Sequence, residues 1–309
     1  MSKKIGFVST RFAGTDGVTL EASKWARVLN AKGHQCFWFA GELDRDASRS
    51  FLVPEAHFRH DQNQWINARI LGKKVRKSAV TETIHALKSI LKVQLRDFIE
   101  SFQVDMLIAE NVLTIPMHIP LGIALTELIA ETQIPTIAHH HDFFWERTRY
   151  AVNAVEDYLR MAFPPKLPSI EHVVINSSAQ EELALRTGIA SIIIPNVIDY
   201  ENPPEIDAVQ SLEIRENIGL KPDDVMILQP TRIVQRKGIE HAIELVSRMK
   251  KKSKLVISHA SGDEGYDYEQ RLREYSKPKS QSDPPNQSLV PAKPANSSNP
   301  GRGSGRAAV

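Results

Sequence analysis

Short aliphatic runs alternate with amphipathic stretches along most of this chain, and no other feature of the sequence constrains the fold as strongly. IGFVS (5–9), DMLIAE (105–110), TIAH (136–139), HVVIN (172–176), SIIIP (191–195), VMILQ (225–229) and KLVIS (254–258) are each four to six residues long. That is strand length, far short of the roughly 18–20 apolar residues a membrane crossing needs. Between them fall helical patterns over 18–32 (closed by Gly33), 66–101, Ile119 to Glu131, a loop and helix reaching Phe163, and 178–187. Strands and helices in alternation predict an α/β chain with a parallel sheet covered on both faces.

Two units are expected. Residues 1–198 read as a complete Rossmann-like domain. Residues 196–222, with Pro203, Pro204 and Pro222, read as a connection. A second unit over 199–276 then supplies only two strands, 225–230 and 254–258, where a doubly wound sheet uses about four to six. The stretch 277–309 holds six Pro, six Ser and three Gly with almost nothing apolar to bury, and is expected to be disordered.

The formal charge of +2 hides an asymmetry. Residues 277–309 carry five of the 39 basic and one of the 37 acidic side chains, so residues 1–276 hold 34 against 36. No broad basic surface for nucleic acid is expected. The single cysteine, Cys36, lies in the apolar run CFWF and cannot form an internal disulfide. It reads as a core residue in a reducing cytoplasm. The first strand begins at Ile5 after Lys3 and Lys4, so no secretory apolar segment is expected before it.

Several segments carry chemistry. In VMILQPTRIVQRKGIEHAI a strand runs through a turn bearing Arg232, Arg236 and Lys237 to Gly238 and a helix. A helix N-terminus there offers backbone N–H groups and a positive dipole end, and Arg232 and Lys237 can bracket a diphosphate. A solvated basic turn is the competing reading, and Arg236 is expected to face solvent. The loop GTDG after the first strand places Gly14 and Gly17 where backbone can approach a ligand, with Asp16 between them. His139, His140 and His141 close a strand, and alternation puts His139 and His141 on one face. Even with Asp142 nearby these two lack further donors, so no metal site is expected. Glu146 and Arg147 follow in FFWER, either extending a binding wall or pairing on a helix. A helix over 66–98 carries Arg69, Lys73, Lys74, Arg76, Lys77, Lys88, Lys92 and Arg96, a face that suits anionic lipid in peripheral membrane contact, an anionic acceptor, or plain solvent. No carboxylate pair of a glycosidase, no G-x-S-x-G, no H-E-x-x-H and no G-x-G-x-x-G after the first strand is present.

Taken in order, GTDGVTLEASKWARVLNAKGH, PTIAHHHDFFW, IIIPNVID and PTRIVQRKGIEHAI resemble four motifs of the retaining glycosyltransferases of family 4. The resemblance covers about residues 4–276. It implies a GT-B fold of two Rossmann-like domains facing a cleft, the second incomplete here. It further implies hexose transfer with retention from a nucleotide-diphosphate sugar to a sugar or glycolipid-type acceptor, with no other cofactor. Catalytic roles are implied for His141 and Gly17, donor diphosphate binding for Arg232, Lys237 and Gly238, and acceptor contacts for Asp16, Asp142 and Glu146. The family's double glycine is Asp16-Gly17 here, its hinge glycine is Val197, and its E-x7-E pair has no counterpart after Ser276. A C-terminally truncated chain is therefore expected, with impaired transfer. The alternative is a catalytically silent α/β unit that binds only a ligand or partner.

Overall fold

The computed structural model describes residues 2–198, 200–201, 203, 205, 207–221, 223–249, 253–259, 266–276 and 290–291. Contacts divide the chain into two compact units, Met1–Ile198 and Asp199–Val309. In the first, the order is β1 (Lys4–Val8), α1 (Gly17–Ala31), β2 (Gln35–Ala40), β3 (Ser50–Leu52), α2 (Asp61–Ile70), α3 (Ser78–Phe102) and β4 (Met106–Glu110). It continues with α4 (Ile119–Thr132), β5 (Thr136–His140), α5 (Glu156–Ala162), β6 (Ile170–Val174), α6 (Ser177–Thr187) and β7 (Ile192–Ile193). All seven strands are parallel, in the order β3-β2-β1-β4-β5-β6-β7. The chain therefore builds outward from β1 in one direction and then, from β4, in the other. That reversal leaves a crevice at the carboxyl ends of β1 and β4, the place where open α/β sheets bind ligands.

Helices cover both faces of this sheet. On one, α3 presents Val80, Ile84, Leu87, Leu91, Leu95 and Phe98, spaced three or four apart, to a core shared with α4. On the other, Phe7 stacks on Trp38 at 4.6 Å, and Phe12 and Cys36 join the same cluster. Burial pushes the Cys36 thiol up to about 11, as a core residue requires.

The helix expected over 66–101 is two helices. Gly72 adopts φ +67°, a left-handed conformation that ends α2 cheaply only with glycine, and its N–H donates to Val152 O at 2.8 Å. Most of the long basic face is engaged within the unit. Arg76 pairs with Asp157, Lys88 and Lys92 with Glu127, Lys92 and Arg96 with Glu131, and Arg69 lies over the Trp65 ring. Strand β3 and the first half of α2 fall in the polar stretch before residue 66, where no element was expected. Among the described residues no helix is long and apolar enough to cross a membrane.

The second unit contains α7 (Ala208–Asn217), β8 (Val225–Arg232), α8 (Ile239–Ser247), β9 (Ser253–His259), α9 (Asp267–Tyr275) and β10 (Val290–Pro291). Helix α7 lies inside the expected connection. It buries none of its residues, so it left no apolar stripe to read. The sheet has the parallel order β10-β9-β8, one strand more than the two expected. The added strand comes from the stretch 277–309; the rest of that stretch, expected to be disordered, lies outside the described residues. A register shift between Gln229 and Arg232 accommodates Pro230, which has no N–H for the ladder. Ile233, Ile239, Ile243, Leu255, Ile257 and Leu272 form this unit's core.

One helix start carries a pH dependence. His118 caps α4, accepting at Nδ1 from Leu121 N–H at 3.1 Å and donating from Nε2 to Glu55 O at 2.9 Å. The bond accepted at Nδ1 needs the neutral ring, and burial lowers its pKa from 6.5 to about 3 although the bond to Glu55 O acts the other way. Burial likewise lowers His172 to about 4. The unfolded chain binds these protons first, so each histidine contributes stability that is present above pH 6.5 and lost as pH falls toward its folded value. Urea unfolding should show a fall of about 2 kcal/mol between pH 7 and pH 5 for each group. His118→Asn, which keeps a capping oxygen, should flatten the slope.

Candidate functional site

The carboxyl ends of β1, β4 and β5 bring together most of the polar residues of the first unit that the sequence singled out. After β1, Arg11 bonds Asp16 at 2.8 Å, and Asp16 caps α1 by accepting from Val18 N–H and Thr19 N–H at 3.1 Å each. Its second oxygen also accepts the Thr19 hydroxyl at 2.7 Å. Burial would raise the Asp16 pKa, but the bonds from Thr19 and Arg11 hold it below the usual carboxylate range. Gly17 is the exposed first residue of that helix, and a Cβ there would meet nothing within 4 Å.

Strand β4 ends in Glu110, which the sequence reading passed over because it closes an aliphatic run. The side chain is fully buried, and its Oε2 lies 3.1 Å from His139 Nδ1 and 3.2 Å from His141 Nε2. The two rings share a face, as strand alternation predicts. Trp25 of α1 stacks on His139 at 4.5 Å, and Asn196 Nδ2 stands 3.3 Å from His141 Nδ1. Burial alone would raise the Glu110 pKa. The hydrogen bonds from both histidines more than offset it and hold the carboxyl below its ordinary value. His140 points to the opposite face and meets Thr114 and, at 2.9 Å, Nδ1 of His172.

Asn111 locks the two strand ends together. It takes φ 57°, a left-handed value that asparagine tolerates better than most residues, and donates its N–H to His139 O at 2.9 Å. Its side-chain oxygen accepts from His141 N–H at 3.2 Å and its amide donates to Asp142 Oδ1 at 3.2 Å. Asp142 also accepts from Arg147 Nε at 2.8 Å. Glu146 turns back to accept from Phe143 N–H at 2.9 Å, and burial raises its pKa despite that bond. Asp16, Asp142 and Glu146 thus each have intramolecular partners. Among the described residues, the one group of histidine and carboxylate donors that converges is Glu110, His139 and His141; the further donor absent from the sequence reading is Glu110, not Asp142.

In the second unit, Arg232 ends β8, while Arg236 and Lys237 lie exposed in a single 3-10 turn before α8. Gly238 stands at φ 57°, and a Cβ there would come within 3.0 Å of the His241 ring. The first N–H groups of this turn are partly used: Gly238 donates to Gln235 O at 3.1 Å and Ile239 to the Tyr268 hydroxyl at 3.1 Å. Tyr268 in turn donates to Glu240, and burial together with that bond pushes its pKa up to about 12.

No family model matches the chain. Over 265 residues it is 33% identical to a mannosylglucosylglycerate synthase of Petrotoga mobilis, covering 82% of this chain and 59% of that protein. The synthase of the same name from Thermotoga maritima is 32% identical over 256 residues, covering 80% of this chain and 57% of that protein. The chain spans less than two thirds of the length of these curated relatives. Among solved structures, the Anabaena protein Alr3699/HepE in complex with UDP-glucose superimposes with a TM-score of 0.55 at 10% identity, over 88% of this chain and 65% of that one. At that identity the likeness is one of fold, and the fold is GT-B.

The buried carboxylate makes a stability prediction. Glu110→Ala would strip both imidazoles of their acceptor, and unfolding by urea should show a loss of about 3–5 kcal/mol, since each buried hydrogen bond to a charged group contributes about 1.5–3 kcal/mol. Glu110→Gln keeps one acceptor oxygen and should cost less. A loss below about 1 kcal/mol for the alanine variant would mean that the triad contributes no more than an exposed ion pair.

Proposed function

We propose that this chain carries glycosyltransferase chemistry, moving a hexose from a nucleotide-diphosphate sugar to a hydroxyl of an acceptor with retention at the transferred carbon, in the manner of family 4. The observation that carries this reading is the 33% identity to a mannosylglucosylglycerate synthase over 265 residues, a stretch longer than the whole first unit. The names of both relatives favour a product of the mannosylglucosylglycerate class.

In this reading Arg232, Lys237 and the backbone at Gly238 hold the donor diphosphate. As the sugar leaves, negative charge grows on the phosphate, and fixed positive charge there lowers the barrier without any covalent step. The leaving phosphate itself takes the acceptor proton, which suits a chain with no acid and nucleophile pair. Gly17, with no side chain at the start of α1, lets the sugar approach the backbone. His141 contacts the sugar, its ring held through Nε2 by Glu110. Asp16, Asp142 and Glu146 line the acceptor side, with Asp16 and Asp142 exchanging some of their present partners for sugar hydroxyls.

UDP-glucose, GDP-mannose and the free diphosphates, offered singly, test the donor site. At a concentration 100-fold above its Kd, a true donor should add about 2.7 kcal/mol of stability, read as a rise in Tm. Arg232→Ala should lower the affinity at least about tenfold, the loss expected of one charge-assisted contact to phosphate. Gly17→Ala should leave the Tm of the free protein unchanged or slightly higher, since its Cβ meets nothing, yet slow transfer. Protection by no nucleotide would sink the donor site. Protection without turnover would leave the second reading, a ligand-binding α/β protein that does not transfer sugar.

A further inference from the structure

Glu110, His139 and His141 each place one donor atom within 4.8 Å of the others. Around a four-coordinate divalent ion, with bonds of about 2.0–2.2 Å, neighbouring donors stand roughly 3.3 Å apart. Glu110 Oε2 is 3.1 Å from His139 Nδ1 and 3.2 Å from His141 Nε2, so two edges of such a polyhedron are already close to that length. The donors ride on or directly beside strand ends rather than on long side chains in a loop. Asn111 ties those strand ends together, and the Trp25 ring fixes the plane of His139.

A second observation separates this cluster from an ordinary hydrogen-bonded triad. One of its buried atoms, Glu110 Oε1, has no hydrogen-bond partner among the described residues. The two histidine bonds both go to Oε2, so they leave the other carboxylate oxygen unsatisfied in a fully buried position, which is costly. A cation held by the carboxylate compensates the charge spread over both oxygens.

We propose that Glu110, His139 and His141 form a binding site for one divalent transition cation of the zinc class, in a two-histidine, one-carboxylate arrangement that leaves a position open. His139 binds through Nδ1 and His141 through Nε2, so each ring carries its proton on the other nitrogen. The His141 Nδ1–H then faces Asn196, whose amide oxygen accepts it once the amide group is turned. The open position faces the His141 edge. That side chain is 10% exposed while those of Glu110 and His139 are fully buried, so water or a ligand oxygen reaches the ion from there. The site lies wholly in the first unit and stands whether or not the chain transfers sugar.

The full-length protein, stripped with a chelator, is titrated with zinc by calorimetry and with cobalt by visible absorption. One equivalent of each should bind, and cobalt should show the ligand-field bands of a four- or five-coordinate ion with nitrogen and oxygen donors. Glu110→Gln and His141→Ala should each weaken binding at least about tenfold, while His241→Ala, at an exposed position in the second unit, should not. If Glu110→Gln fails to fold, His141→Ala decides alone, because its side chain reaches the surface. Less than one equivalent bound, or unchanged affinity in His141→Ala, overturns the site and leaves the triad as hydrogen bonds only.

Discussion

A parallel sheet covered by helices on both faces can meet solvent and ligands only where its strands end, and the chemistry of the first unit follows from that constraint. The interiors of β1, β4 and β5 are almost wholly apolar, while polar residues begin at Ser9, Glu110 and His139. Ser9 Oγ donates to Glu110 O at 2.9 Å, tying the two strands that flank the switch point. Sheet order thus decides which side chains converge. Were β4 not beside both β1 and β5, the residues after each strand would open onto separate surfaces.

Burying an ionised carboxylate costs far more than one hydrogen bond returns. Glu110 is tolerated because two imidazoles donate to it and a third group, Asn111, holds the strand ends that carry them. The same bonds orient His141, which keeps only one edge toward solvent. A ring so held loses little freedom when it meets a ligand, which is the condition for precise positioning. By contrast, His140 and His172 sit on the other face with their pKa values depressed by burial, and belong to the packing of β5 on β6.

What could be read in the sequence divides along the same physical lines. Strands announce themselves as apolar runs whether buried like β4 or exposed like β7, so the α/β class and six of the seven strands of the first unit, the aromatic run QCFWFAG of β2 among them, were legible. The shared face of His139 and His141 follows from strand alternation, and it is present. Strand β3 was not legible because it has three residues, one of them the serine that pairs with Trp38. Helix α2 starts in DQNQW, and its asparagines are used inward: Asn63 and Asn67 both donate to Met117 O. Glu110 escaped notice for a different reason. Its partners lie 29 and 31 residues away, and only the register Glu110↔His139 brings them together.

The turn before α8 shows how far local reasoning about a helix N-terminus extends. Strand, basic turn and glycine predict free N–H groups ready for phosphate, yet the Ile239 N–H already donates to Tyr268, and Glu240 stands in the first turn with its carboxylate on the same hydroxyl. An arriving diphosphate must therefore compete with a phenol oxygen, a weaker acceptor than a dianion. On the proposed donor role the exchange would favour the ligand, because a phosphate brings charge to a turn that carries Lys237 while Tyr268 brings only a dipole. Glu240 would work against such an anion and limit how tightly it is held. The Tyr268–Glu240 pair, contributed by α9 and α8, makes binding at this turn depend on a helix that the local motif does not contain.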